Sequence, residues 1–242
     1  MSSPLVVIEK IRQLQQYDEY IAAFIFGSYV RDEFGPDSDL DFKVITKEDR
    51  PFTILNPVIE GIKLDLTFIS YQQLKRSTEK EMEKGDRPPI IYESKILFDK
   101  EGETTTLRDY VRENAKPRIF DKRLEYDVRF SIYHLNNKIT RYLNSDKDST
   151  LLSMHVAINE LIKALYASNE KWYVSDKRLI KDLGEWNKEF LELLGEFINE
   201  SDPQIKYNYW NQLYNNVLNK IGGYKPLSDF QFEFKNDLTK LL

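Results

Sequence analysis

The sequence predicts an α+β protein in which a small mixed-sheet domain is followed by an all-helical domain. Short apolar runs and alternating segments fill the first hundred residues, whereas helical spacing of apolar residues dominates after Gly102. Hydrophobic residues make up 41% of the 242 positions, which suits packed cores rather than disorder. We therefore predict two domains, residues 1–102 and residues 103–242.

Helix and strand signals alternate in the first domain. Apolar residues spaced by three predict an N-terminal helix, and a short apolar run that ends at Gly27 predicts a buried strand. Two later segments alternate apolar and polar side chains, so each predicts a strand with one apolar face. The predicted elements are a helix over 4–17, strands over 20–26, 40–45 and 61–70, a helix over 71–84 and a strand over 95–98.

Strand signals fade in the second domain. Thr106 and Asp109 have the spacing of a capping box, which predicts a helix that begins at Thr106. Helical spacing over more than three turns predicts four further helices. These cover residues 121–144, 151–168, 176–200 and 204–220.

Composition excludes several classes of site and partner. The chain has no cysteine and only His134 and His155, so disulfides, zinc–thiolate sites and histidine-rich metal sites are excluded. With 35 basic against 40 acidic residues and no basic stripe, duplex DNA is an unlikely partner. No apolar run is long enough for a membrane span, and the N-terminus lacks a signal-peptide pattern. We expect a cytoplasmic protein without a membrane partner, and the oligomeric state stays open.

Acidic residues are concentrated where the predicted sheet should be. Asp39 and Asp41 are two positions apart, so on a strand their side chains leave the same face. Asp65 lies in the middle of another predicted strand and would join them if the two strands are neighbours. Three converging carboxylates need a counter-charge, and Mg²⁺ supplies it with oxygen ligands, which predicts one or two Mg²⁺ ions. Gly27 allows a sharp turn, after which Ser28 would open a short helix that favours a phosphate.

These residues carry a resemblance to a known family. Gly27-Ser28, ten intervening residues, Asp39-x-Asp41 and a later Asp65 resemble the DNA polymerase beta-like nucleotidyltransferase superfamily. The resemblance implies transfer of a nucleoside monophosphate from a nucleoside triphosphate, with release of pyrophosphate. It implies that Asp39 and Asp41 hold the metals, two Mg²⁺ ions in all, and that Asp65 binds the catalytic one and helps to activate the acceptor hydroxyl. Gly27 and Ser28 would hold the β- and γ-phosphates.

Neighbouring residues extend this resemblance with one departure. Arg31, Pro36, Asp37 and Ser38 are similar to residues that small bacterial members place there, which makes Arg31 and Ser38 candidate nucleotide-binding residues. Tyr29 stands where arginine is frequent in the superfamily, so one phosphate contact differs.

A second resemblance concerns the acceptor. Residues 159–178 are similar to the helical domain of aminoglycoside and lincosamide nucleotidyltransferases, which implies a small-molecule hydroxyl acceptor. The transfer that we expect is that of AMP from ATP. Glu160 is a candidate general base, or alternatively a surface residue paired with Lys163. Lys177 is a candidate phosphate contact, or alternatively a surface lysine at a helix start.

Other activities stay open at this level. Arg129, four residues and His134 resemble the motif of helical HEPN ribonucleases, in which arginine and histidine act on a phosphate. The alternatives are therefore a HEPN-like ribonuclease or toxin–antitoxin type protein, and a nucleotidyltransferase that modifies a protein.

Overall fold

The computed structural model describes residues 3–223, and the chain divides into two compact units, Met1–Pro117 and Arg118–Leu242. The first unit is built on a mixed β-sheet and the described part of the second is helical, which confirms the predicted α+β class. Residues 103–114 form a helix that belongs to the first unit, because Arg112 donates hydrogen bonds to the carbonyl oxygens of Tyr92 and Ser94. The first compact unit thus extends one helix beyond the predicted boundary at residue 102. That a nucleotidyltransferase domain ends at residue 102 and a substrate-binding domain begins at residue 103 stays a prediction.

The described part of the first unit contains six strands and four α-helices. In chain order they are α1 (Pro4–Arg12), β1 (Tyr20–Phe26), β2 (Leu40–Thr46), β3 (Thr53–Leu55), β4 (Val58–Ile59), β5 (Ile62–Ser70), α2 (Tyr71–Glu83), α3 (Pro89–Tyr92), β6 (Lys95–Asp99) and α4 (Glu103–Asn114). The strand order is β3-β5-β2-β1-β6, and β4 pairs with the start of β5. Only β2 and β5 run parallel, whereas the other pairs are antiparallel.

The sheet has one apolar face and one partly polar face. Side chains alternate along a strand, so residues two apart share a face. Leu40, Phe42 and Val44 of β2 lie on the apolar face beside Leu64 and Leu66 of β5. Helix α1 packs on this side with buried residues Val7, Ile8 and Ile11. The alternate positions of β2 and β5, which include Asp41 and Asp65, therefore lie on the opposite face.

Some element ends differ from the sequence prediction. Helix α1 ends at Arg12 and continues as a 3₁₀ turn, and α4 begins at Glu103 rather than at Thr106. The Asp99 carboxylate accepts the backbone N–H of Thr105, so the first turn of α4 is capped from β6 and not by Thr106. Strands β3 and β4 and helix α3 were missed, because elements of two to four residues are too short to show a period.

The described part of the second unit consists of five helices, α5 (Lys122–Tyr142), α6 (Lys147–Ser168), α7 (Asp176–Trp186), α8 (Lys188–Asn199) and α9 (Pro203–Lys220). Their shared core is built from buried aromatic and aliphatic side chains, which include Leu161, Leu165, Phe190, Phe197 and Trp210. None of the helices in the described residues is both long and apolar enough to cross a bilayer.

The helix predicted over residues 176–200 is two helices. Asn187 leaves the helical conformation with φ −146° and ψ 65°, and its side-chain oxygen accepts the N–H of Phe190 at 3.2 Å, which caps α8. The apolar spacing continues across this single residue, so periodicity alone did not reveal the break.

The Asn187 cap should contribute measurably to the stability of the helical unit. We expect Asn187→Ala to lower the free energy of unfolding by about 1 kcal/mol, because the N-terminus of α8 loses its side-chain acceptor. Chemical denaturation followed by circular dichroism measures this change. Asn208→Ala is the matched control, since Asn208 is exposed within α9 and alanine favours a helix interior. Equal losses for both variants would contradict the assigned cap.

Candidate active site

Strand β1 ends in a tight turn at Gly27. Gly27 adopts φ +76°, a left-handed conformation that favours glycine, and residues 27–32 form turns. The N–H of Glu33 donates to the carbonyl oxygen of Ser28 at 2.9 Å, so the chain folds back after Ser28. The predicted short helix at Ser28 is therefore wrong, and a helix N-terminus does not supply phosphate-binding N–H groups there.

Two aspartates lie side by side on the polar face of the sheet. In the parallel pairing of β2 with β5, Asp41 is the direct partner of Asp65. Asp65 is partly buried, and its Oδ1 atom is inaccessible to solvent and makes no hydrogen bond. A buried carboxylate oxygen without a partner is costly, and a bound cation that reached it would supply the missing partner.

The turn at Gly27 is shaped around Asp41. Phe26 pairs with Asp41 across β1 and β2, so Gly27 lies directly beside this carboxylate. A Cβ atom at Gly27 would be 1.9 Å from Asp41 Oδ2 and 2.8 Å from its Cγ. The absence of a side chain at Gly27 is thus what allows Asp41 to occupy its place.

Asp39 is less closely integrated than the other two acids. Asp39 is exposed and is the residue immediately before the first residue of β2. Within residues 3–223, no three carboxylates or histidines are grouped as a metal site, which differs from the three-carboxylate cluster expected from the sequence. The oxygen donors of Asp41 and Asp65 and the unpartnered Oδ1 nevertheless fit a hard divalent cation. The roles of Asp39, Asp41 and Asp65 as metal ligands stay predictions.

A lysine and a glutamate that the sequence analysis did not select lie near the aspartates. Lys43 follows Asp41 by two positions on the same face and is only 8% exposed. Burial lowers the pKa of Lys43, while the nearby carboxylates of Asp65, Glu81 and Asp41 act in the opposite direction. Glu81 comes from α2, and its pKa is raised by burial and by Asp86. The alternation that placed Asp41 on this face also places Lys43 there, so this signal was available in the sequence.

The two candidate nucleotide-binding residues in the loop after Gly27 have partners within the protein. Arg31 donates to Glu33 at 2.9 Å and to Glu93 at 2.7 Å. Burial opposes the charge of Arg31, but these two carboxylates raise its pKa. The Ser38 hydroxyl accepts the N–H of Gly35 at 3.0 Å, which closes a turn before β2. Both residues therefore stabilise the loop, and their contact with a nucleotide stays a prediction.

The candidate residues of the second unit are at its surface. Glu160 is exposed and forms an ion pair with Lys163 at 2.7 Å, which matches the surface alternative rather than a buried general base. Lys177 is exposed in the first turn of α7.

Tyr173 packs edge-on against Tyr166, and burial together with a hydrogen bond to Asp176 raises the pKa of Tyr173 to about 12. Tyr173 thus remains a neutral hydrogen-bond donor at ordinary pH.

Arg129 and His134 do not form a common site in α5. Arg129 is buried and binds Glu125 at 3.1 Å and the carbonyl oxygen of Gly223 at 3.0 Å. His134 is exposed and stacks on Phe130. Positions five apart on a helix point in different directions, so this arrangement favours a structural role for Arg129 over the ribonuclease alternative.

Comparison with known proteins identifies the first unit. Residues 9–103 match the family described as "Polymerase beta, Nucleotidyltransferase", which covers fewer than half of the residues of the chain. A solved structure of a nucleotidyltransferase-like protein from Exiguobacterium sibiricum 255-15 is similar at 11% identity, with a TM-score of 0.49, over 90% of this chain and 75% of that chain. No curated protein is significantly similar to this chain. The family match on residues 9–103, rather than the distant structural similarity, shows a nucleotidyltransferase domain.

The close approach of Gly27 to Asp41 can be tested with a matched glycine. Gly27→Ala should abolish metal-dependent nucleotide binding, because the new Cβ would displace the Asp41 carboxylate. Gly61→Ala is the control, since Gly61 has the same φ of +76° but open space around its Cβ position. Both variants carry left-handed strain of about 1–2 kcal/mol, so thermal unfolding without ligand should shift in both. The shift induced by Mg²⁺ and nucleoside triphosphate should be lost only in Gly27→Ala, and its survival there would contradict the assigned role.

Proposed function

We propose that the chain is a nucleotidyltransferase that moves AMP from ATP to a hydroxyl of a small, aminoglycoside-like molecule and releases pyrophosphate. The observation that carries this proposal is the pairing of Asp41 with Asp65 beside the Gly27 turn, within the segment that matches the nucleotidyltransferase family. The donor nucleotide, the acceptor and the use of Mg²⁺ belong to the proposal. The cytoplasmic location expected from the sequence also stays a prediction.

Asp41 and Asp65 are the residues that would hold the divalent cation. When bound, Mg²⁺ would neutralise oxygens of the triphosphate and so favour displacement at the α-phosphorus. The Gly27 turn lets the backbone approach the phosphates closely, since a side chain there would fill the space beside Asp41. Ser28 follows in the same turn and offers a hydroxyl to a phosphate oxygen.

Asp65 is the better candidate for handling the acceptor proton. Asp65 is partly buried beside Asp41, and its carboxylate would accept the proton of the acceptor hydroxyl as that oxygen attacks the α-phosphorus. Glu160 is exposed and forms an ion pair with Lys163, so it is a weaker candidate for this role. We retain Glu160 and Lys177 as proposed contacts to acceptor and phosphate, respectively.

Choice of the acceptor is assigned to the helical unit. This assignment is supported by the resemblance of residues 159–178 to antibiotic-modifying nucleotidyltransferases and by the aromatic pair of Tyr166 and Tyr173 within that segment. The net charge of −5 is compatible with a polycationic acceptor.

The donor site predicts a specific thermal response. Saturating Mg²⁺ and ATP should raise the melting temperature by roughly 5–10 °C, since a ligand at a hundred times its Kd stabilises by about 2.7 kcal/mol. The shift should be absent in Asp41→Asn and Asp65→Asn, and in Asp39→Asn if Asp39 also binds the cation. Asp37→Asn is the control, because Asp37 is exposed in the loop before β2. The other three triphosphates test donor choice, and no shift with any of them would contradict a nucleotide site.

The proposed reaction predicts that the α-phosphate of ATP is transferred to the acceptor. With ATP labelled at the α-phosphate and a panel of aminoglycosides, label should move to the acceptor while pyrophosphate appears in equal amount. Asp41→Asn should lower this transfer at least ~1000-fold, as expected when charge stabilisation at the transferred group is removed. His134→Ala should retain full transfer. Label on a protein instead of the small molecule would favour the protein-modifying alternative, and RNA cleavage that depends on His134 would favour the ribonuclease.

A further inference from the structure

Lys43 places a positive charge on the same sheet face as the paired aspartates. It pairs with Phe24 on β1 and with Thr67 on β5, one alternation along β2 from Asp41. Only 8% of Lys43 is exposed. Lysine is rarely buried to this extent without a specific partner, because removing an ammonium group from water is expensive.

The surroundings of Lys43 hold its ammonium group close to the acids without a direct ion pair. Its Nζ atom lies 5.8 Å from the ring centroid of Phe26 and 5.7 Å from that of Phe52, so two aromatic rings confine it. The carboxylates that favour its charge are Asp65, then Glu81, then Asp41. Within the described residues, no carboxylate oxygen lies within 4.0 Å of the Lys43 Nζ atom.

The positive charge of Lys43 affects how many divalent cations can bind at Asp41 and Asp65. Two divalent ions a few ångströms apart need several carboxylates to offset their mutual repulsion. Here no group of three metal-ligating side chains is found in residues 3–223, and the Lys43 ammonium group lies near the carboxylates of Asp65, Glu81 and Asp41. A first cation can still use Asp41 and Asp65, whereas a second would meet the charge of Lys43 as well as that of the first.

We propose that Lys43 is a built-in counter-ion of the Asp41–Asp65 pair, so that this site takes one divalent cation and not two. The inference rests on the proposed function, because it concerns the cation of the same site. Lys43 acts as a positioning residue, because its ammonium charge holds the two carboxylates together before ligands bind and takes the place of the second ion.

The test is a count of bound Mn²⁺ ions on the full chain. Mn²⁺ is titrated at constant ionic strength, and free Mn²⁺ is measured by electron paramagnetic resonance. Wild-type protein and Lys43→Arg should bind one ion. Lys43→Met, which keeps the stem but removes the charge, should bind a second ion or bind Mn²⁺ about tenfold more tightly, the size of effect that a charge a few ångströms away exerts. Lys47→Met, at an exposed position just after β2, should behave as wild type.

Folding of each variant is checked by circular dichroism and thermal unfolding, and Lys43→Gln replaces Lys43→Met if the latter does not fold. Two Mn²⁺ ions on the wild-type protein would overturn the inference while leaving the proposed function intact. Unchanged Mn²⁺ binding in the neutral variant would also overturn it, and weakened ATP binding in the same variant would make Lys43 a phosphate contact. No Mn²⁺ on any variant would overturn it too, and if nucleotides also failed to shift the wild-type melting temperature, the proposed function would fall with it.

Discussion

The parallel, in-register pairing of β2 with β5 is the constraint on which the candidate site depends. It puts Asp41 beside Asp65 on one face, while Leu40, Phe42, Leu64 and Leu66 occupy the other. A slip of one residue would turn the aspartates into the apolar core and expose the leucines, so packing of α1 against the apolar face fixes the register. The hydrophobic side of the sheet thereby determines the geometry of its charged side.

The polar face of the sheet contains groups whose burial opposes stability. The Oδ1 atom of Asp65 is buried without a partner, and Lys43 and Glu81 are shifted in pKa chiefly because burial disfavours their charged forms. Such an arrangement costs free energy that apolar packing elsewhere in the unit has to offset. A bound cation and nucleotide would relieve the cost, because they supply the missing partners of these groups.

The two units differ in where their candidate functional residues lie. The first unit contains the family match and the partly buried acids Asp41 and Asp65. In the described part of the second unit, Glu160 and Lys177 are exposed, and Arg129 is engaged in holding α5 to Gly223. If the helical unit selects the acceptor, as proposed, it would do so by shape and aromatic surface rather than through Glu160 or Lys177 as buried charges.

The sequence by itself determined the α+β class and most strand and helix positions. It also placed Asp41 and Asp65 each opposite the apolar residues of its own strand, because period and spacing are local properties of the chain. It failed at Ser28, Thr106 and Asn187, where single turns and caps depend on hydrogen bonds that periodicity does not encode. Only the tertiary structure decided that β2 and β5 are parallel neighbours, that Gly27 makes room for Asp41, and that Lys43 is buried among the acids. Each of these depends on contacts between segments far apart in sequence.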